Sequence, residues 1–206
     1  LHHPAVFQNL PATPLRLSVE QAVVVVHHPP FDPYGAPQYD VSAIRQVLQS
    51  IIPPRVLWAP VGPKARAPFQ SLRDRLPLTD KDWVNVLNPD DYGGARPGLL
   101  GGKPVVGRHS RPDSLKWPDT PAQMKAAYPD TPDIAVRLMG FGAASVDGLE
   151  VFPSNWEVLD FGAMAPGAFL SSIDFLSYFH SAGWSEAFGR SILEAMASGV
   201  FCLLPK

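Results

Sequence analysis

Short apolar runs alternate with helix-forming segments along this chain, and that alternation constrains the fold more than any other feature. Residues 21–28 (QAVVVVHH) read as a buried strand, 41–52 as an amphipathic helix and 55–59 as a second strand, with Pro29-Pro30 and Pro53-Pro54 as breaks. Further along, the pattern predicts strands at 104–108, 134–139, 156–161, 175–179 and 200–204. Helices are expected between them at 121–127, around 166–171 and at 188–197. Continuous apolar strands interleaved with helices predict an α/β fold with parallel sheets, and ligands then gather at the carboxyl ends of the strands.

Between about 60 and 103 the pattern lapses. This tract carries many of the chain's 24 prolines, together with Gly93-Gly94 and Gly101-Gly102, and predicts one short helix near 71–75. It reads as a linker between two halves, 1–102 and 103–206. There is no internal repeat and no low-complexity segment.

Bulk composition narrows the function classes. With 46% hydrophobic and 17% charged residues, a chain of 206 residues can bury a real core. Seventeen basic against nineteen acidic residues leave a formal charge of -2, so no global field favours nucleic acid or anionic lipid, and any anion must be bound locally. The single cysteine, Cys202, lies in an apolar run and reads as a buried thiol, which excludes a disulfide scaffold. Apolar runs such as 22–26 are far shorter than the roughly 20 residues of a membrane helix. No basic-then-apolar leader is seen, so a cytoplasmic protein is expected, with peripheral membrane contact left open.

Chemistry concentrates near the end of the chain. Ser185–Gly199 (SEAFGRSILEAMASG) sets Glu186 and Glu194, with seven residues between them, around a Phe188-Gly189 turn and a small-residue helix. A glycine at a helix start lets a diphosphate reach backbone N–H groups, and a carboxylate along the helix can grip a diol such as a ribose. The alternative is that Glu186 only complements the helix dipole and Glu194 is a solvated helix residue. Earlier, Val105–Pro118 (VVGRHSRPDSLKWP) supplies Arg108, Arg111 and Lys116. Breaking an anomeric carbon–phosphate bond requires preorganised positive charge at the leaving phosphate. Arg108 and Lys116 are the first candidates and Arg111 and Arg190 the next; any one of them could equally be an ordinary solvated cation.

The Glu-x7-Glu segment with Phe-Gly after the first glutamate, and the basic loop before it, resemble the donor half of GT-B fold retaining glycosyltransferases of family 4 type. The resemblance implies Rossmann-like parallel sheets, with the chain an internal portion of a longer enzyme, incomplete at both ends. It implies transfer of a hexose from a nucleotide diphosphate sugar to a saccharide or other hydroxyl-bearing acceptor, with retention of configuration. In that picture Arg108 and Lys116 steady the diphosphate, Gly189 admits it to the helix, Glu186 faces the donor sugar and Glu194 the ribose hydroxyls. Cationic side chains stand in for a divalent ion, so no obligatory metal and no cofactor is expected. The seven residues between Arg108 and Lys116 exceed the family's usual spacing, and Arg111 could take the lysine's place.

Other features weigh less. Gly140-Phe141-Gly142 follows a predicted strand, but Ser145 stands at the third glycine place of a dinucleotide fingerprint and no helix is expected to follow, which argues against a dehydrogenase. In the glycosyltransferase reading this turn borders the nucleotide pocket, with Trp156, Glu157 and Val158 near the base, although a tryptophan is more often core. His27 and His28 point to opposite strand faces and do not suit a shared metal. His180 is a cleft candidate, and Asp174 reads as a cap or turn residue. The commonest serine-hydrolase and phosphate-loop motifs are absent. Two rival functions stay open: a non-catalytic nucleotide-binding or interaction module, and a GT-B nucleotide-sugar epimerase.

Overall fold

The computed structural model describes residues 4–9, 19–51, 55–72, 76–93, 96, 98–142, 145–149 and 151–205. The expected Pro53-Pro54 break, the end of the helix expected near 71–75, and Gly94 lie outside the described residues. The chain divides into two compact units: Leu1–Asn85 with Ser185–Phe188, and Val86–Trp184 with Gly189–Lys206.

The first unit contains the strand-helix-strand arrangement that the sequence predicts. Strands β1 (Gln21–Val26) and β2 (Arg55–Pro60) pair in parallel, with Val24 opposite Trp58 and Val26 opposite Pro60. The crossover is helix α1 (Val41–Ile51). Asp40 starts this helix, because its carboxylate accepts from the N–H groups of Ser42 at 2.8 Å and Ala43 at 3.0 Å. Ile44, Leu48 and Ile51 recur on one face and are buried against Val24, Val26 and Trp58. Each such burial contributes roughly 2 kcal/mol. A short helix α2 (Pro63–Arg66) and the 3-10 turn Ala67–Leu72 follow. Part of the expected irregular tract is therefore ordered, with Phe69 packed on Trp58 at a ring distance of 5.9 Å.

The second unit is a five-stranded parallel sheet. Strands β3 (Val105–His109), β4 (Ala135–Met139), β5 (Trp156–Leu159), β6 (Phe175–Ser177) and β7 (Phe201–Leu203) run in the order β5-β4-β3-β6-β7. Helix α3 (Pro121–Ala127) belongs to one face, where Met124, Trp117 and Tyr128 pack on Val106, Val136 and Leu138. Its start is set by a capping box: the Thr120 hydroxyl accepts from the Gln123 N–H, and the Gln123 side chain accepts from the Thr120 N–H. Helices α4 (Pro166–Leu170) and α5 (Arg190–Ala197) belong to the other face, with Phe169, Leu170, Ile173, Leu176 and Ala195 buried together.

Arg96 and Leu100, in the tract expected to be linker, are fastened to this sheet. Asp174 is buried, and its two carboxylate oxygens accept from the N–H groups of Leu100 and Val105, each at 2.8 Å. Arg96 donates to the carbonyls of Leu170 and Ile173. Asp174, expected as a cap or turn residue, instead ties a sequence-distant segment to the sheet.

Candidate functional site

The site is built at the carboxyl end of β3, the central strand of the second sheet. Side chains alternate across a strand, so consecutive residues serve opposite faces. Gly107 and His109 face α4: a Cβ at Gly107 would lie 2.6 Å from Ile173 Cγ2, and the His109 ring meets Phe169 edge-on at 5.6 Å. Arg108 faces α3. Its guanidinium carbon lies 4.2 Å from the Tyr178 ring centre and 5.2 Å from that of Trp117, and Nη1 donates to the Phe179 carbonyl.

Helix α5 brings a carboxylate to the His109 face. Gly189 occupies its N-cap with φ 77°, a left-handed conformation that glycine adopts without cost. At the far end Gly199 (φ 69°) closes the helix: its N–H donates to Met196 O at 3.1 Å, and the Val200 N–H donates to Ala195 O at 2.9 Å. This paired closure explains the Ser-Gly after the alanines. One turn inside α5, Glu194 is 5% exposed. Its Oε1 accepts from Arg190 Nε at 2.9 Å and from the Tyr92 hydroxyl at 3.2 Å. Its Oε2 lies 3.6 Å from His109 Nε2.

The electrostatics follow from burial. Desolvation lowers the His109 pKa below the usual imidazole value, Glu194 opposes that shift and the neighbouring Arg108 charge adds to it. The pair is therefore a neutral imidazole beside a carboxylate. Burial first, and the Glu194 charge second, raise the Tyr92 pKa, which keeps its phenol a donor. The hydrogen bond to Glu194 raises the Arg190 pKa.

Turns at the strand ends close the rim. Gly140 follows β4 with φ 82°, and a Cβ there would lie 1.9 Å from Ser110 O. Only glycine lets these two strand ends approach so closely. His180 lines a nearby cavity of about 260 Å³ with Pro118, Gln123, Ala127 and Phe179, its Nδ1 hydrogen-bonded to Ser181 O at 2.8 Å.

The sequence candidates separate into groups. Gly189, Arg190 and Glu194 come together on α5. Lys116 stands in the loop after β3 with Nζ 3.3 Å from the Trp184 ring centre, and Arg111 is exposed in the same loop. Glu186 belongs to the first unit, in the segment Ser185–Phe188. Two expectations need correction. Arg108, expected at the diphosphate of the ligand whose ribose Glu194 faces, projects to the face of the sheet opposite His109 and Glu194, because Arg108 and His109 are consecutive on β3. Trp156, expected near a base, is packed among Tyr128, Phe141 and Phe152 at the amino end of β5, so it is core.

No protein-family model matches the chain, and no curated protein matches it in sequence. The solved structure of TarM superposes with a TM-score of 0.52 at 15% sequence identity, over 88% of this chain and 36% of that one.

The fold is α/β with parallel sheets, matching the GT-B-like fold of TarM.

The chain spans about a third of the length of TarM. The buried Glu194 stands beside the carboxyl end of β3. Chemically, the cluster offers a carboxylate for hydroxyl groups, an exposed arginine for an anion, and a helix start with positive dipole character. His109 and Tyr92 were missed by sequence reasoning. His109 was visible in principle through strand alternation, while Tyr92 lies 102 positions from Glu194 and leaves no local signal. Among the described residues, no helix is long and apolar enough to cross a membrane.

Proposed function

We propose that this chain carries the nucleotide-sugar site of a retaining glycosyltransferase that moves a hexose to a hydroxyl-bearing acceptor. The observation that carries the reading is Glu194: a carboxylate that is 5% exposed, held by Arg190 and Tyr92, one turn inside a helix that starts on a left-handed glycine. A buried carboxylate with this much support is built to accept from hydroxyl groups rather than to float in solvent.

In this reading Glu194 holds the ribose, while Gly189 and the first turn of α5 receive the diphosphate. Arg190, Arg111 and Lys116 supply the positive charge. Arg108, already engaged with Phe179, Tyr178 and Trp117, acts as a positioning residue that shapes the loop carrying Lys116. The departing phosphate takes the acceptor proton on the same face, so no protein base is required, and the cationic side chains take the place of a divalent ion at the diphosphate. The reaction is assigned to the cytoplasm.

The test is incubation with uridine and guanosine diphosphate hexoses, with and without a saccharide acceptor, following nucleoside diphosphate release and sugar configuration. Acceptor-dependent release with retained configuration is expected. Binding without release would favour a non-catalytic module, and an altered sugar without acceptor would favour an epimerase.

A further inference from the structure

We propose that His109 Nε2 and Glu194 Oε2 together hold one ribose hydroxyl, so that the site selects ribonucleotides over their deoxy counterparts. The inference rests on the nucleotide-sugar reading above and assigns to that site a residue and a selectivity it does not otherwise contain.

Three observations converge. First, His109 Nε2 is buried and makes no hydrogen bond, whereas buried polar groups are ordinarily paired. Second, Glu194 Oε2 lies 3.6 Å from that nitrogen, beyond a direct hydrogen bond. A hydroxyl oxygen about 2.8 Å from each atom bridges such a gap. Third, Oε1 is already taken by Arg190 and Tyr92, so Oε2 is the oxygen left to meet a ligand.

The chemistry selects a hydroxyl. With Nε2 protonated, the neutral imidazole donates and the carboxylate accepts, so the bridging atom must accept from one side and donate to the other. A hydroxyl does both; a hydrogen or methyl in its place leaves a buried donor and a buried carboxylate oxygen unpaired. The imidazole is held for this role by its place at the end of β3 and by the edge-on Phe169 ring.

The experiment is calorimetric titration of the full chain with uridine and guanosine diphosphates and with their 2′-deoxy and 3′-deoxy analogues. The unaltered chain is expected to bind one deoxy analogue at least about tenfold more weakly than the parent, the loss of a charge-assisted hydrogen bond. His109→Phe, which keeps a planar ring on Phe169, is expected to bring parent and analogue within about threefold. His109→Gln, which keeps a donor, is expected to restore part of the preference and guards against a folding defect in the first variant. Full discrimination persisting in His109→Phe overturns the proposal while leaving the nucleotide-sugar reading intact. Failure of the unaltered chain to bind either nucleoside diphosphate overturns both.

Discussion

His109 and Glu194 approach to 3.6 Å from two different elements of one sheet unit, the end of β3 and the second turn of α5. This contact ties the central strand to the helix that carries the candidate site. The pair is asymmetric: one carboxylate oxygen is doubly bonded by Arg190 and Tyr92, and the other faces a neutral imidazole.

That asymmetry has a pH signature. His109 is harder to protonate in the folded chain than in the unfolded one, so the unfolded state binds more protons between the two pKa values. Stability should therefore be complete above the unfolded value of about 6.5 and fall as pH drops through the folded value. Thermal melts from pH 8 to pH 5 check this, and His109→Phe should flatten the part of the slope that one proton explains.

Tyr92→Phe removes a single hydroxyl from Glu194 and leaves the ring. The expected loss is about 1 kcal/mol, measured by denaturant titration. Glu194→Ala should cost more, because it also removes the Arg190 pair and leaves Tyr92 and His109 facing a cavity.

Gly140→Ala should be among the most damaging single changes. It combines a left-handed backbone with a Cβ 1.9 Å from Ser110 O, and about 3 kcal/mol or more is expected. Gly35→Ala is the control: φ is 84°, but nothing lies within 4 Å of the added carbon, so only the left-handed penalty of about 1 kcal/mol remains. Paired melts of the two variants separate clash from conformation.

Asp174→Ala should release the segment before β3. Two backbone N–H groups lose a charged acceptor, at about 1.5 kcal/mol or more each. Hydrogen exchange should show early loss of protection at Leu100 and Val105, while β4 and β5 keep theirs.

The alternation of apolar runs and helices made the parallel α/β architecture legible, and strands such as Ala135–Met139 shift by only a residue from expectation. Periodicity reports which side chains must be buried, and that is what positions a strand. The Ser185–Gly199 segment was equally legible, since the left-handed Gly189 and the closing Gly199 follow from local backbone needs. What escaped was the third dimension of the basic loop. The resemblance places Arg108 at the diphosphate and Glu194 at the ribose of one ligand, whereas strand alternation sends Arg108 into the aromatic layer under α3 and leaves His109 for Glu194. Trp156 escaped for a related reason: an aromatic ring suits a base or a core equally well, and only packing decides. Asp174 and Arg96 bind main-chain groups of sequence-distant segments, a role that residue type alone does not announce.

The central claim is that Glu194 belongs to a nucleotide site. Calorimetric titration of the unaltered chain and of Glu194→Ala with uridine and guanosine diphosphates tests it most directly, with melts to establish that the variant is folded. The account predicts micromolar binding of one nucleotide by the unaltered chain and its loss in the folded variant. Equal binding by both proteins, or none by the unaltered chain, would contradict it.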